Sequence, residues 1–260
     1  MKILICGKGG SGKSTTVSLV AKNLTTKGYR VLVVDADESN YGLNQQLDLK
    51  EPKELMDQIG GKKALMGKMM IARNGGEKTP IFTEEVGIDE IPPDCLSKKD
   101  RLYLLQVGKV KHFGEGCACP MGGLSKDFLK HLKLAPKDIA LIDTEAGVEH
   151  LGRGVASEVD LVFAVLDPSY ESVKLSKKIT EMAKEGGKTV YFILNKVDDA
   201  LAEKMAASIG KEQVIAVIPF TSAVQEKGLS GEPLDLNLPC IANIADFVIE
   251  AQKGNGAKRQ

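Results

Sequence analysis

Residues 7–15 read GKGGSGKST directly after a short apolar run, ILIC at 3–6, and no other stretch restricts the fold as much. Gly7, Gly12, Lys13 and Ser14 satisfy G-x-x-x-x-G-K-[ST], in which glycines let successive backbone N–H groups turn inward around an anion. Such a loop joins a buried strand to a helix whose positive dipole end faces the same anion. Both flanks are present. The apolar run precedes the loop, and residues 15–27 carry Val17, Leu19, Val20, Ala21 and Leu24 in an amphipathic pattern. Gly9, Gly10, Ser11, Gly12, Lys13, Ser14 and Thr15 are therefore expected around the phosphates of a nucleotide. Lys13 supplies charge to the β and γ phosphates, and the Ser14 hydroxyl sits on Mg²⁺.

A strand–loop–helix start of this kind implies an α/β fold, and the remaining pattern agrees. Strands are expected at 29–35, 101–107, 137–143, 161–166, 189–194 and 214–218, with helices at 124–134, 171–184, 199–209 and 241–251. The βαβ alternation predicts a mainly parallel β-sheet with helices on both faces. At 260 residues, 1–260 reads as one phosphate-loop domain, with an irregular elaboration at about 38–100. There Gly60-Gly61, Gly75-Gly76, Pro80 and Pro92-Pro93 break up short pieces, of which 53–59 and 62–70 look helical. Met66, Met69 and Met70 lie in the second piece and are expected to fill core rather than bind metal. The Gly- and Lys-rich tail at 253–260 is expected to fray.

In a parallel sheet the residues just after each strand share one rim. That rule gathers the chemistry. Asp35-Ala36-Asp37 ends the second strand, and an acid there can hold Mg²⁺ through water or orient the water that attacks the γ phosphate. Asp143 ends another strand and has the placement of an acid that reaches Mg²⁺ through water; Gly147, in TEAGVEHLGRG at 144–154, could offer its N–H to the γ phosphate. Glu145, Glu149 and His150 are explained equally well by a polar helix start. Asn195-Lys196-Val197-Asp198 can read a purine edge, and Pro219-Phe220 can wall the base.

Gly114 to Pro120 reads GEGCACP. Thiolates at Cys117 and Cys119 point to roughly one side of an extended turn and suit Zn²⁺ or Ni²⁺, but two sulfurs do not complete a four-coordinate site; a twofold dimer would. Two inert thiols, or a redox pair, fit the spacing as well. His112 nearby reads as a surface residue.

Composition excludes several classes. Lys plus Arg and Asp plus Glu both total 35, so no global charge favours nucleic acid. No apolar segment reaches the length of a bilayer span, and the run after Met1 and Lys2 is short for a signal peptide. A cytoplasmic protein is expected, and five cysteines, an odd number, argue against a disulfide framework.

Lys8-Gly9-Gly10-Ser11-Gly12-Lys13-Ser14 is the KGGxGK[ST] variant of the phosphate loop and resembles that of the MinD, ParA and nitrogenase iron protein group of dimeric ATPases. Within that group, GEGCACPM at Gly114 to Met121 and DTEAGVEHLGRG at Asp143 to Gly154 resemble the CooC-type nickel-inserting accessory ATPases of carbon monoxide dehydrogenase. The likeness covers nearly the whole chain. It implies an ATP-dependent metallochaperone: a homodimer formed on ATP or metal binding, with apo carbon monoxide dehydrogenase as client and no membrane or nucleic-acid partner. By the same resemblance Lys8 would cross to the partner's phosphates and Asp37 would orient the attacking water. Asp143 would support Mg²⁺, Asn195 would contact adenine, and Cys117 and Cys119 would hold nickel or zinc between two subunits. Two other readings belong to the group, a membrane- or DNA-bound positioning ATPase and an iron–sulfur reductase.

Overall fold

The structure, a computed structural model, describes residues 1–73, 81–110 and 119–258. It begins β1 (Lys2–Gly7), α1 (Lys13–Thr26), β2 (Arg30–Ala36), α2 (Leu43–Leu47), α3 (Leu55–Gln58) and α4 (Gly61–Arg73). Then come β3 (Leu96–Lys99), β4 (Leu102–Gln106), α5 (Cys119–His131), β5 (Asp138–Thr144), α6 (Glu149–Gly152), β6 (Leu161–Leu166) and α7 (Tyr170–Glu185). The chain closes with β7 (Val190–Asn195), α8 (Asp199–Ile209), β8 (Val214–Ile218), α9 (Ser222–Ser230) and α10 (Pro239–Lys258).

Eight strands form one sheet in the order β3-β4-β2-β5-β1-β6-β7-β8. Every pairing is parallel except β3 with β4. Because side chains alternate along a strand, successive residues supply two cores. Leu4, Cys6, Leu32, Val34 and Ile142 pack with Leu124, Phe128 and Ile179 of α5 and α7. Ile3, Ile5, Val31, Val33 and Leu141 pack with Val17, Leu24, Ile244 and Val248 of α1 and α10. Burial on both faces explains why β1, β2, β5 and β6 are continuous apolar runs rather than alternating ones. Each such Leu, Ile or Phe contributes about 1.5–3 kcal/mol by leaving water.

Three local expectations change. The antiparallel edge strand β3 was not expected; it is short, ends in two lysines and turns at Asp100, whose φ is 54°. Such features blunt an edge strand and give little apolar signal. Met66 is 44% exposed, so it does not fill core; α4 turns it outward while Leu65 is fully buried. The side chains of Met69 and Met70 lie outside the described residues. The last helix does not fray at Lys253: α10 continues to Lys258 through Gly254 and Gly256. Its start at Pro239 places a residue with no N–H where helices leave that donor unpaired anyway.

Candidate nucleotide site

The rim formed by the carboxyl ends of β1, β2, β5 and β7 carries the expected cluster. At its centre, the loop after β1 requires glycine for specific reasons. Gly12 has φ 97°, and a Cβ there would lie 2.2 Å from Asn195 Nδ2; at Gly7, φ 143°, it would lie 2.3 Å from the Val165 carbonyl oxygen. The loop is thus packed between β6 and the end of β7 with no room for a side chain. From β7, Asn195 Nδ2 donates to Ser11 O at 2.7 Å, and Lys196, φ 63°, sends Nζ to Gly10 O at 2.9 Å. Asp198 is committed as the N-cap of α8, accepting from Leu201 N. In this structure NKxD therefore braces the phosphate loop and starts a helix. Thr15, Thr16, Asn195, Lys196, Pro219 and Phe220 line a cavity of about 280 Å³ beside Gly12, adjoining the helix start where phosphates bind.

Lys13 is buried in the loop, with Nζ 3.4 Å from Lys8 O. Ser14 Oγ donates to Asp143 Oδ2 at 2.6 Å, and Asn40 Nδ2 reaches both, at 2.9 and 3.2 Å. Asp143 is fully buried and its Oδ1 has no hydrogen-bond partner among the described residues. Burial, reinforced by the Asp35 carboxylate, pushes its pKa up to about 7 against the opposing Ser14 bond. A hydroxyl and a buried carboxylate are hard oxygen donors, and the pair would suit Mg²⁺, with Ser14 as the direct ligand and Asp143 acting through water. A divalent cation there would also offset the burial of the Asp143 charge.

The other expected residues flank this centre. The Asp37 carboxylate accepts from Ser39 N at 2.9 Å and Ser39 Oγ at 2.6 Å. The Gly147 N–H donates to Gly7 O at 3.1 Å, tying the segment after β5 to the phosphate loop. Lys8 Nζ lies 2.9 Å from Asp167 Oδ2 of the same chain, and Asp167 also accepts from Ser169 and Ser172. Those hydroxyls and Lys8 hold its carboxyl below the ordinary value although burial opposes them. Cys117 and His112 lie outside the described residues; of Cys119 only its place as the first residue of α5 is described. Cys6 is buried, which pushes its thiol up to about 12 and makes it inert.

A second, smaller cavity joins three segments. It is lined by Ala36 at the end of β2 and Glu38 after it, Glu145, His150 and Arg153 after β5, and Met121 and Gly122 from the first turn of α5. Arg153 Nη1 donates to Glu145 Oε1 at 2.5 Å, and a Cβ at Gly122 would meet Arg153 Cδ at 2.7 Å. Burial and a hydrogen bond to Glu38 push Glu145 up to about 7. The helix that begins at Cys119 therefore meets the segment after Asp143 at Arg153 and shares this cavity with Glu38 after Asp37. Asn40, Asp167 and Lys109, described below, escaped the sequence reading because none belongs to a spaced motif.

Comparison with known proteins agrees with this geometry. Residues 2–234 match the family described as the CobQ/CobB/MinD/ParA nucleotide binding domain. An uncharacterized ATP-binding protein of Methanocaldococcus jannaschii is 46% identical over 95% of this chain and 99% of its own length. The carbon monoxide dehydrogenase accessory protein CooC of Rhodospirillum rubrum is 32% identical over 89% of this chain and 88% of its own. Among solved structures, the septum site-determining protein MinD of Pyrococcus horikoshii complexed with Mg-ADP superposes with a TM-score of 0.67. It is 18% identical and covers 95% of both chains, so the likeness is one of fold.

Proposed function

The chain belongs to the CobQ/CobB/MinD/ParA family of nucleotide-binding proteins and is an ATPase of the MinD/ParA type; from that premise we propose that it is an ATP-dependent metallochaperone of the CooC type. ATP brings two chains together. Cys117 and Cys119 of each then supply four thiolates to one nickel or zinc ion, the cargo, and hydrolysis loosens the dimer so that nickel passes to apo carbon monoxide dehydrogenase. Contacts made only in the ATP-bound dimer give the differential affinity such a cycle needs.

In this account Gly9 to Thr15 cradle the phosphates, Lys13 holds the β and γ phosphates, and Ser14 and Asp143 hold Mg²⁺. Asp37 orients the attacking water once its carboxylate leaves Ser39. Lys8 leaves Asp167 to reach the partner's phosphates. Pro219 and Phe220 wall the base. Asn195 reaches adenine from its place against Ser11. The observation that carries the metal half of the proposal is the close approach of Gly122, in the first turn of the helix that begins at Cys119, to Arg153, which pairs with Glu145 in the segment after Asp143, around a cavity that Glu38 also lines. In this reading a change at the γ phosphate is passed to the first turn of α5 through Glu145 and Arg153. The full-length identity to CooC supports the same reading.

The test is transfer. Nickel-loaded protein should activate apo carbon monoxide dehydrogenase with ATP and not with a non-hydrolysable analogue, and protein carrying Cys117→Ser and Cys119→Ser should activate it in neither case. Equal activation by the serine variant would remove the cysteines from the mechanism.

A further inference from the structure

Lys109 is a lysine where burial alone would forbid one. Its side chain is 2% exposed and faces Asp35, whose side chain is fully buried. Lys109 Nζ donates to Asp35 Oδ2 at 2.6 Å and to the backbone carbonyl of Asp37 at 2.6 Å. The other oxygen of Asp35, Oδ1, accepts from the backbone N–H of Asp37 at 3.2 Å. Asp35 and Lys109 thus close a ring around the backbone of Asp37, one holding its N–H and the other its carbonyl. Further ties join the same segments. Val107 N donates to Asp35 O at 3.0 Å, Lys109 N to Glu54 Oε2 at 3.1 Å, and the Tyr41 hydroxyl to Val110 O, with the Tyr41 ring 5.9 Å from Lys109 Nζ.

Stability does not account for the pair, because a buried ion pair replaced by apolar groups of like volume is often no less stable. What a buried, doubly anchored ammonium supplies is direction. With both peptide groups of Asp37 fixed, its side chain can depart along few paths, and freeing the carboxylate from Ser39 changes side-chain torsions while the backbone stays in place.

We infer that Asp35 and Lys109 are positioning residues for ATP hydrolysis, acting through Asp37 by bracketing its backbone, with Tyr41 steadying Lys109 from the surface. The inference rests on the role given to Asp37 above. Lysine is suited to the task because its three donors can serve a carboxylate and a carbonyl together.

The experiment compares Lys109→Met with the double variant Asp35→Asn/Lys109→Met in the full chain, measuring ATP Kd, kcat and Tm. The single variant strands the Asp35 charge and loses Tm; the double removes both charges and recovers it. If the pair positions Asp37, the double variant still binds ATP within about threefold of wild type while kcat stays down about tenfold or more, the split expected of an interaction made in the transition state. If kcat returns with Tm, the pair serves only the fold and the inference is overturned. Should neither variant fold, Tyr41→Phe decides, since its side chain is 57% exposed and its loss leaves the core intact. A kcat lowered about two- to fivefold at unchanged Tm supports the inference, in line with one lost hydrogen bond; wild-type kcat overturns it. Asp37→Ala run alongside separates the two levels. If it turns over like wild type, the assignment of Asp37 fails; if it is inactive while the double variant is not, the bracket alone fails.

Discussion

His150 is 5% exposed in α6, and among the described residues neither ring nitrogen has a hydrogen-bond partner. Burial, with the neighbouring charges of Lys13 and Arg153, lowers its pKa from 6.5 to about 3. The folded chain therefore keeps it neutral over a pH range in which the unfolded chain takes up a proton. Between those two values the unfolded state binds one proton more than the folded state, so stability rises with pH and falls on acidification by about 1.4 kcal/mol per unit. From pH 7.5 to 5.0 this group alone removes about 2 kcal/mol. Asp35, Asp143 and Glu145 act with the opposite sign. Their pKa values are raised to about 6, 7 and 7, chiefly by burial, so what they contribute is present at low pH and lost as pH rises through those values. A raw pH profile mixes both signs, whereas the difference between wild type and His150→Leu isolates the imidazole. Leucine has similar volume, needs no partner and does not titrate, so the variant should be the more stable at both pH values. Urea unfolding at pH 7.5 and 5.0 measures the gap, which should widen by about 2 kcal/mol at the lower pH. A gap equal at both would refute the buried neutral imidazole.

The nucleotide groups make separable predictions. Lys13→Ala should weaken ATP binding by about two orders of magnitude, whereas Asp37→Ala should bind ATP normally and lose turnover by a similar factor, seen by titration calorimetry and phosphate release; wild-type kcat in Asp37→Ala would sink that assignment. Lys8 is paired with Asp167 in the single chain, so Asp167→Asn should raise the dimer fraction with ATP in analytical ultracentrifugation, and Lys8→Ala should bind ATP yet hydrolyse it poorly. An unchanged dimer fraction in Asp167→Asn would mean that this pair does not restrain Lys8.

How much was legible beforehand follows from what kind of signal each part carries. The phosphate loop and the buried strands were readable because glycine at Gly7 and Gly12 and unbroken β-branched runs leave few alternatives. Asp143 was legible as an acid at a strand end, and it lies 2.6 Å from Ser14. The partners that orient these groups were not. Asn40, Asp167 and Lys109 lie in the loops after β2, β6 and β4, and sheet order, which places β4 beside β2 and β6 beside β1, brings those loops to one rim. NKxD suggested base recognition; what the motif did not disclose is that Asn195 Nδ2 also braces Ser11 O and that Asp198 caps α8, because this strand end lies next to the phosphate loop. The edge strand β3 was illegible for the opposite reason: an exposed two-lysine edge resembles a loop in composition.

The central claim is that two chains share one metal ion through Cys117 and Cys119, and metal content measured together with oligomer mass on anaerobically purified protein tests it most directly. With zinc or nickel added, with and without ATP, the account predicts one tight ion per two chains at the mass of a dimer. It also predicts loss of that ion and of metal-driven dimerisation when both cysteines become serine, with ATP hydrolysis largely retained. One tight ion in each isolated monomer, or a serine variant that still carries one ion per dimer, would contradict it.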